Sequence, residues 1–204
     1  EPFCKWSVEV EDPRQLPYFA HTGIQKMLNG RPLPVYLDLP SNVISASVEE
    51  EDVQFFPKVS DPARPLADPS AVKAAAQAIM NAERPLLLVG KGLAWSDAAE
   101  EVRELVDRLQ IPFVPSPMGK GVVPDDHPLN ASGARSYALQ NADLVVLAGA
   151  RFNWIFHFGA PPRFAPNVKV VQIDIEGSEV GNGVPAEVGL VGDAKAVFGQ
   201  ILSE

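Results

Sequence analysis

Cysteine is almost missing from this chain. Of its 204 residues only Cys4 carries a thiol, so no internal disulfide can form and nothing in the sequence demands an oxidising compartment. Long apolar runs are missing too: none reaches the ~18 residues that a membrane-spanning helix needs. An excess of basic charge is absent. Acidic residues number 26 and basic ones 17, for a net charge of −9, which argues against a nucleic-acid partner, since phosphate backbones need a basic footprint. Two common phosphate-binding fingerprints are absent: no G-x-G-x-x-G follows a strand and no G-x-x-x-x-G-K-[ST] occurs. An ordinary NAD dehydrogenase or P-loop NTPase is disfavoured accordingly. The chain opens Glu1-Pro2-Phe3-Cys4-Lys5-Trp6, without an initiator Met or an apolar signal core, and closes in a helix-like stretch at Glu204. The expectation is a piece of a longer protein that is not secreted.

What is present is ordinary globular material: 46% hydrophobic and 21% charged residues, too apolar for a disordered chain. Twenty prolines are about twice the usual share, and they punctuate the elements. Asp12-Pro13 is a helix start, with Asp as N-cap and Pro at the first position. Leu16, Phe19, Ile24, Met27 and Leu28 follow at roughly helical spacing, and Asn29-Gly30 ends the helix. Val35 to Leu39 then reads as a short strand. One helix and one strand make no core, so residues 1–45 read as the end of an incomplete domain. Residues 46–68 hold the acidic block Glu49–Asp52 and three prolines, Pro57, Pro62 and Pro65. That composition resists both helix and central strand and reads as a linker.

From Asp68-Pro69 a regular alternation begins. Val72, Ala75, Ala76, Ile79 and Met80 form one helical face, and Leu86–Val89 is a continuous apolar strand. Asp97 with Glu100 resembles a capping box opening a helix striped by Val102, Leu105, Val106 and Leu109. Strands follow at residues 111–115, 144–148 and 168–174, with short helices at 133–140 and after Asp193 and a short strand at 188–191. Helices alternating with strands apolar on both faces predict an α/β fold over 69–204, a doubly wound parallel sheet.

In such a sheet the ligand crevice lies outside the carboxyl ends of the strands. Those ends carry Gly90-Lys91-Gly92, Ser116 to Lys120-Gly121, Gly149-Ala150-Arg151, and Asp174 followed by Glu176-Gly177. Glycines admit phosphates to the backbone, Lys and Arg neutralise them, and a strand-end carboxylate accepts ribose hydroxyls. The pattern suits a nucleotide, although glycine commonly ends strands. Asp125-Asp126-His127 reads as a proline-flanked turn rather than a metal cluster. His157, beside Trp154 and Phe158, reads as packed. Ser132 and Ser136 flank Arg135 at a helix start, where they either cap the helix or hold a phosphate.

Gly149-Ala-Arg-Phe-Asn-Trp-Ile-Phe-His-Phe-Gly159 resembles the GARLNW…HFG signature of the 2-hydroxyacyl-CoA lyases and oxalyl-CoA decarboxylases, which are thiamine-diphosphate enzymes. Phe3–Trp6 and the stretch Gly30-Arg-Pro-Leu-Pro-Val-Tyr-Leu-Asp-Leu-Pro40 resemble the close of that family's N-terminal pyrimidine-binding domain. Gly90–Gly92, Pro117–Gly121, Pro124–Pro128 and Val171–Ile175 resemble its central domain, which has a Rossmann-like six-stranded parallel sheet. The resemblance implies an ADP site built from Arg31, Lys91, Arg151, Asp174 and the Asp193-Ala194 turn. It implies a CoA segment at Ser132, Gly133, Ala134, Arg135 and Ser136. It further implies thiamine diphosphate and Mg²⁺ in the parent protein, an acyl-CoA substrate, a homo-oligomer, and a peroxisomal or cytoplasmic location. The family's catalytic Glu would precede residue 1, and its C-terminal diphosphate-binding domain would follow residue 204. Gly192-Asp193-Ala194 lacks the second Gly of the Mg²⁺ motif. No catalytic or metal-binding residue is therefore expected here, and the chain alone is expected to be inactive. An acetolactate-synthase-like central domain binding FAD, and a stand-alone nucleotide-binding module, are the alternatives.

Overall fold

The computed structural model describes residues 3–204 and divides into two compact units, Glu1–Ala63 and Arg64–Glu204. In the first unit, β1 (Trp6–Glu9) pairs in parallel with β2 (Val35–Asp38), and α1 (Leu16–Leu28) is the crossover between them. Sequence reading missed β1, because four residues alternate too briefly to register as a strand. Asp12 does cap, but it caps a 3₁₀ turn, Pro13–Gln15, by accepting the Arg14 N–H; α1 begins one turn later. The short α2 (Ser41–Ile44) follows β2.

The second unit is the doubly wound sheet. Its elements are α3 (Pro69–Asn81), β3 (Pro85–Val89), α4 (Lys91–Trp95), α5 (Ala99–Leu109), β4 (Phe113–Pro115), α6 (Arg135–Asn141), β5 (Leu144–Ala148), β6 (Lys169–Asp174), β7 (Val188–Val191) and α7 (Ala194–Ser203). The strands lie in the order β4-β3-β5-β6-β7, all parallel. Alternate residues serve opposite faces, as the pleat requires. Leu87, Val89, Val146, Ala148, Val171 and Ile173 pack in one core with Val72, Leu105 and Val197 of α3, α5 and α7. Leu86, Leu88, Val145, Leu147 and Val170 pack in the other with Leu139 of α6 and with Phe152, Phe156 and Phe164.

Two expectations need correction. The sheet has five strands, not six. Beyond β4, Asn130 forms a single bridge to Phe113. The chain there is spent on a turn, with the Leu129 N–H donating to His127 Nδ1 and the Asn130 N–H to the His127 carbonyl. Asp97 is not a helix N-cap. The unforeseen α4 ends in a Schellman motif: Asp97 sits at φ 55°, its N–H bonds the Ala94 carbonyl, and the Ala98 N–H bonds the Leu93 carbonyl. Ala98 then precedes α5 without a side-chain cap. Among the described residues no helix is long and apolar enough to cross a membrane.

Candidate functional site

Strand order decides where a ligand fits. β4 lies on one side of β3, and β5, β6 and β7 lie on the other. The chain therefore reverses direction between β3 and β5, and the crevice of a doubly wound sheet opens at that switch point. Two glycine loops meet there. The Gly92 N–H donates to the Gly149 carbonyl at 2.9 Å, and a Cβ on Gly90 would lie 2.2 Å from that same oxygen. Backbones this close leave no room for side chains, so glycine is required at position 90 for steric reasons. Gly149 adds a left-handed φ of 56°.

The predicted residues flank this junction. Lys91 is exposed at the first position of α4, its ammonium 5.5 Å from the centre of the Trp95 ring. Arg151 stands three residues past β5, about half-exposed, and its Nη1 donates to the Glu179 carboxylate at 3.1 Å. Asp174 ends β6, and its Oδ1 accepts the Glu176 N–H at 2.9 Å. Asp193 follows β7 and caps α7, accepting the Ala196 N–H, while Arg64 Nη1 donates to it at 3.1 Å. Ala194 is buried behind it. The register aligns Val89 with Ala148, Ala148 with Ile173, and Asp174 with Val191. These strand ends therefore stand side by side at the usual spacing of about 4.8 Å. Arg31 belongs to the first unit, where its carbonyl accepts a bond from Lys5 Nζ at 3.0 Å.

The Ser132–Ser136 segment is arranged differently from the expected helix start. Residues 131–134 form a 3₁₀ turn capped by Asn130, which accepts the Ser132 N–H at 3.0 Å, so Ser132 itself is not the cap. Gly133 and Ala134 are exposed. Arg135 turns inward: it donates to the Ile155 carbonyl and lies 5.2 Å from the centre of the Phe156 ring. Burial lowers its pKa from the usual guanidinium range. Ser136 Oγ accepts from Arg163 at 3.3 Å. Arg135 thus ties this segment to the Trp154–Gly159 turn. That turn also overturns the packed reading of His157. His157 and Phe158 take left-handed φ values of 50° and 55°, His157 is exposed, and Trp154 and Phe158 are 73% and 63% exposed. Phe152, Phe156 and Phe164 fill the core instead.

His127 is held by structure rather than chemistry, with Nε2 2.9 Å from Asp107 and Nδ1 accepting the Leu129 N–H. Among the described residues no three His, Cys, Asp or Glu side chains gather to hold a metal. A cavity of about 780 Å³ lies at the opposite, amino edge of the sheet, lined by Met80, Leu86, Leu109 and Tyr137 among others. It is remote from the strand-end residues. Glu179, Gln172 and Arg64 were invisible to sequence reading. Their partners lie 28, 7 and 129 positions away, and the only cue was a polar Gln inside an otherwise apolar strand.

The chain belongs to the thiamine pyrophosphate enzymes: residues 72–201 match the family described as "Thiamine pyrophosphate enzyme, central domain". Within that family it is 42% identical over 202 residues to 2-hydroxyacyl-CoA lyase 1 of Homo sapiens, a match covering 99% of this chain and 35% of that protein. It is 40% identical over 206 residues to oxalyl-CoA decarboxylase of Escherichia coli strain K12, covering 100% of this chain and 36% of that protein. The chain thus spans about a third of the length of the curated relatives it matches. Benzoylformate decarboxylase from Polynucleobacter necessarius has the same fold, with a TM-score of 0.77 at 24% identity over 100% of this chain and 39% of that one.

The segment that comes nearest to the family's Mg²⁺ motif is not free to hold the metal. The nearest approach to the metal motif is Gly192-Asp193-Ala194, where the Asp193 carboxylate is committed to α7 and Arg64, and a Cβ on Gly192 would lie 2.9 Å from the Pro65 carbonyl oxygen.

Proposed function

We propose that this chain is the nucleotide-binding central part of a thiamine-diphosphate-dependent lyase or decarboxylase that acts on 2-hydroxyacyl-CoA or oxalyl-CoA. The observation that carries the nucleotide reading is the side-by-side alignment of the β3, β5, β6 and β7 carboxyl ends, with Lys91 and Arg151 flanking a glycine junction and Asp174 next in line. ADP fits this edge. Lys91 and Arg151 meet the phosphates, Asp174 accepts ribose hydroxyls, and the Asp193-Ala194 turn lies beyond. The Ser132–Ser136 segment takes the CoA nucleotide. Thiamine diphosphate supplies the carbanion chemistry in the parent, and it and Mg²⁺ are held by parts other than these residues. The parent is a homo-oligomer, peroxisomal or cytoplasmic.

Calorimetric titration of this chain with ADP, with FAD, and with thiamine diphosphate plus Mg²⁺ tests the reading. Saturable binding of ADP alone is expected. Binding of FAD would favour the acetolactate-synthase-like alternative, and binding of thiamine diphosphate would overturn the assignment of that cofactor to other parts.

A further inference from the structure

Gln172 sits in β6 between Val171 and Ile173, 1% exposed. A buried primary amide needs partners for both its donor and its acceptor, and here both come from one loop. Its Nε2 donates to the Glu179 carbonyl at 2.8 Å, and its Oε1 accepts the Gly181 N–H at 2.9 Å. The loop is fixed elsewhere as well. Asp174 Oδ1 accepts the Glu176 N–H, and Glu176 Oε1 accepts the Ser178 hydroxyl at 2.9 Å. Val180 seats against β7, where a Cβ on Gly189 would lie 2.4 Å from Val180 Cγ1. What this loop presents is the Glu179 carboxylate. It is 12% exposed and set 3.1 Å from Nη1 of Arg151, whose own side chain is 48% exposed.

An ion pair with one member half in water contributes little to stability. Fixing a long guanidinium before a ligand arrives is a different gain, because the entropy of ordering it is not lost on binding. We propose that Glu179, itself placed by Gln172, is a positioning residue that holds Arg151 ready for a nucleotide phosphate. The proposal rests on the nucleotide reading of this edge. Glu179 is also an anion close to where phosphate would lie, so its charge and its role as acceptor act in opposite directions. Charge alone would repel the ligand; the acceptor alone orients the cation that attracts it.

Replacement variants separate the two effects. Glu179→Gln keeps a carbonyl acceptor and removes the charge, whereas Glu179→Ala removes both. Calorimetric titration with ADP at fixed salt should show Glu179→Ala weakened about tenfold, the loss of one charge-assisted contact, and Glu179→Gln as tight as the unsubstituted chain or tighter. Gln172→Met should resemble Glu179→Ala; if that variant does not fold, the Glu179 pair decides. In an Arg151→Ala background, Glu179→Ala should cause no further loss, and any change should be towards tighter binding, since only the repulsive charge of Glu179 is left to remove. Undiminished affinity in Glu179→Ala, or an equal loss in both backgrounds, overturns the proposal. A second readout needs no nucleotide: the Arg151 side-chain N–H resonances should be ordered in the unsubstituted chain and averaged in Glu179→Ala. If ADP fails to bind, the nucleotide reading fails; resonances unchanged by Glu179→Ala defeat the positioning claim.

Discussion

Gly90 is a single hydrogen where any other residue would have a carbon 2.2 Å from the Gly149 carbonyl oxygen. Gly90→Ala must push two strand-end loops apart, an overpacking penalty of about 1–3 kcal/mol, and it should lower the melting temperature by several degrees. Gly133, with nothing within 4 Å of an added Cβ, is the control: Gly133→Ala should leave thermal unfolding essentially unchanged. Asp143 works at the other edge of the sheet. Its carboxylate accepts the N–H groups of Glu83 at 2.8 Å and Arg84 at 2.9 Å, stapling the approach to β3 onto the approach to β5. Burial alone would raise its pKa, but the backbone donors outweigh it and the pKa falls below the ordinary carboxylate value. A depressed folded-state pKa contributes stability above the unfolded value of about 3.9 and loses it as pH falls through the folded value. Asp143→Asn should therefore unfold at lower temperature than the parent at neutral pH, and the gap should close as the pH drops towards about 2. A gap constant from pH 7 to pH 2 would contradict this. At this scale the sequence was legible only in part. Lys91, Arg151 and Asp174 could be placed at strand ends from the sequence, because each lies at or just after an apolar strand beside glycines or loops. Glu179 was not, because an ion pair across 28 positions leaves no local mark.

At the scale of elements, strongly periodic segments were read correctly and capping was read unevenly. Asp68 and Asp193 both cap as their sequence context implies, accepting the N–H of Ala71 and Ala196 respectively. Asp97 carries the same kind of signal and does not, because an unanticipated five-residue helix, α4, places it in a left-handed terminator. A short helix just after a strand has too few residues to show a period. The same brevity hid β1. Asp193→Ala removes the α7 cap together with the carboxylate that receives Arg64. A lost cap costs about 0.5–2 kcal/mol, so thermal unfolding should shift down by a few degrees. Asp193→Asn, which preserves a capping oxygen, should recover most of the loss.

Over the whole molecule, two purely local rules produced the architecture: apolar strands between helices, and breakers at their ends. They imply a parallel sheet but not its strand order; the observed order puts the switch point, and with it the crevice, between β3 and β5. What local rules could not supply is which surface cations work together in a chain of net charge −9. The sheet aligns the strand ends next to which Lys91, Arg151 and Asp174 stand, and the proposed site rests on that alignment. The central claim is that this edge binds a nucleoside diphosphate through Arg151. The most direct measurement is the ADP dissociation constant of the chain and of Arg151→Ala by calorimetry, at one fixed salt concentration, with thermal unfolding recorded on both. Loss of one charge-assisted contact is worth about 1.5–3 kcal/mol, so ADP binding should weaken at least about tenfold while the fold persists. If Arg151→Ala lowers thermal stability and leaves ADP affinity unchanged, Arg151 is a structural partner of Glu179 only and the nucleotide site is contradicted.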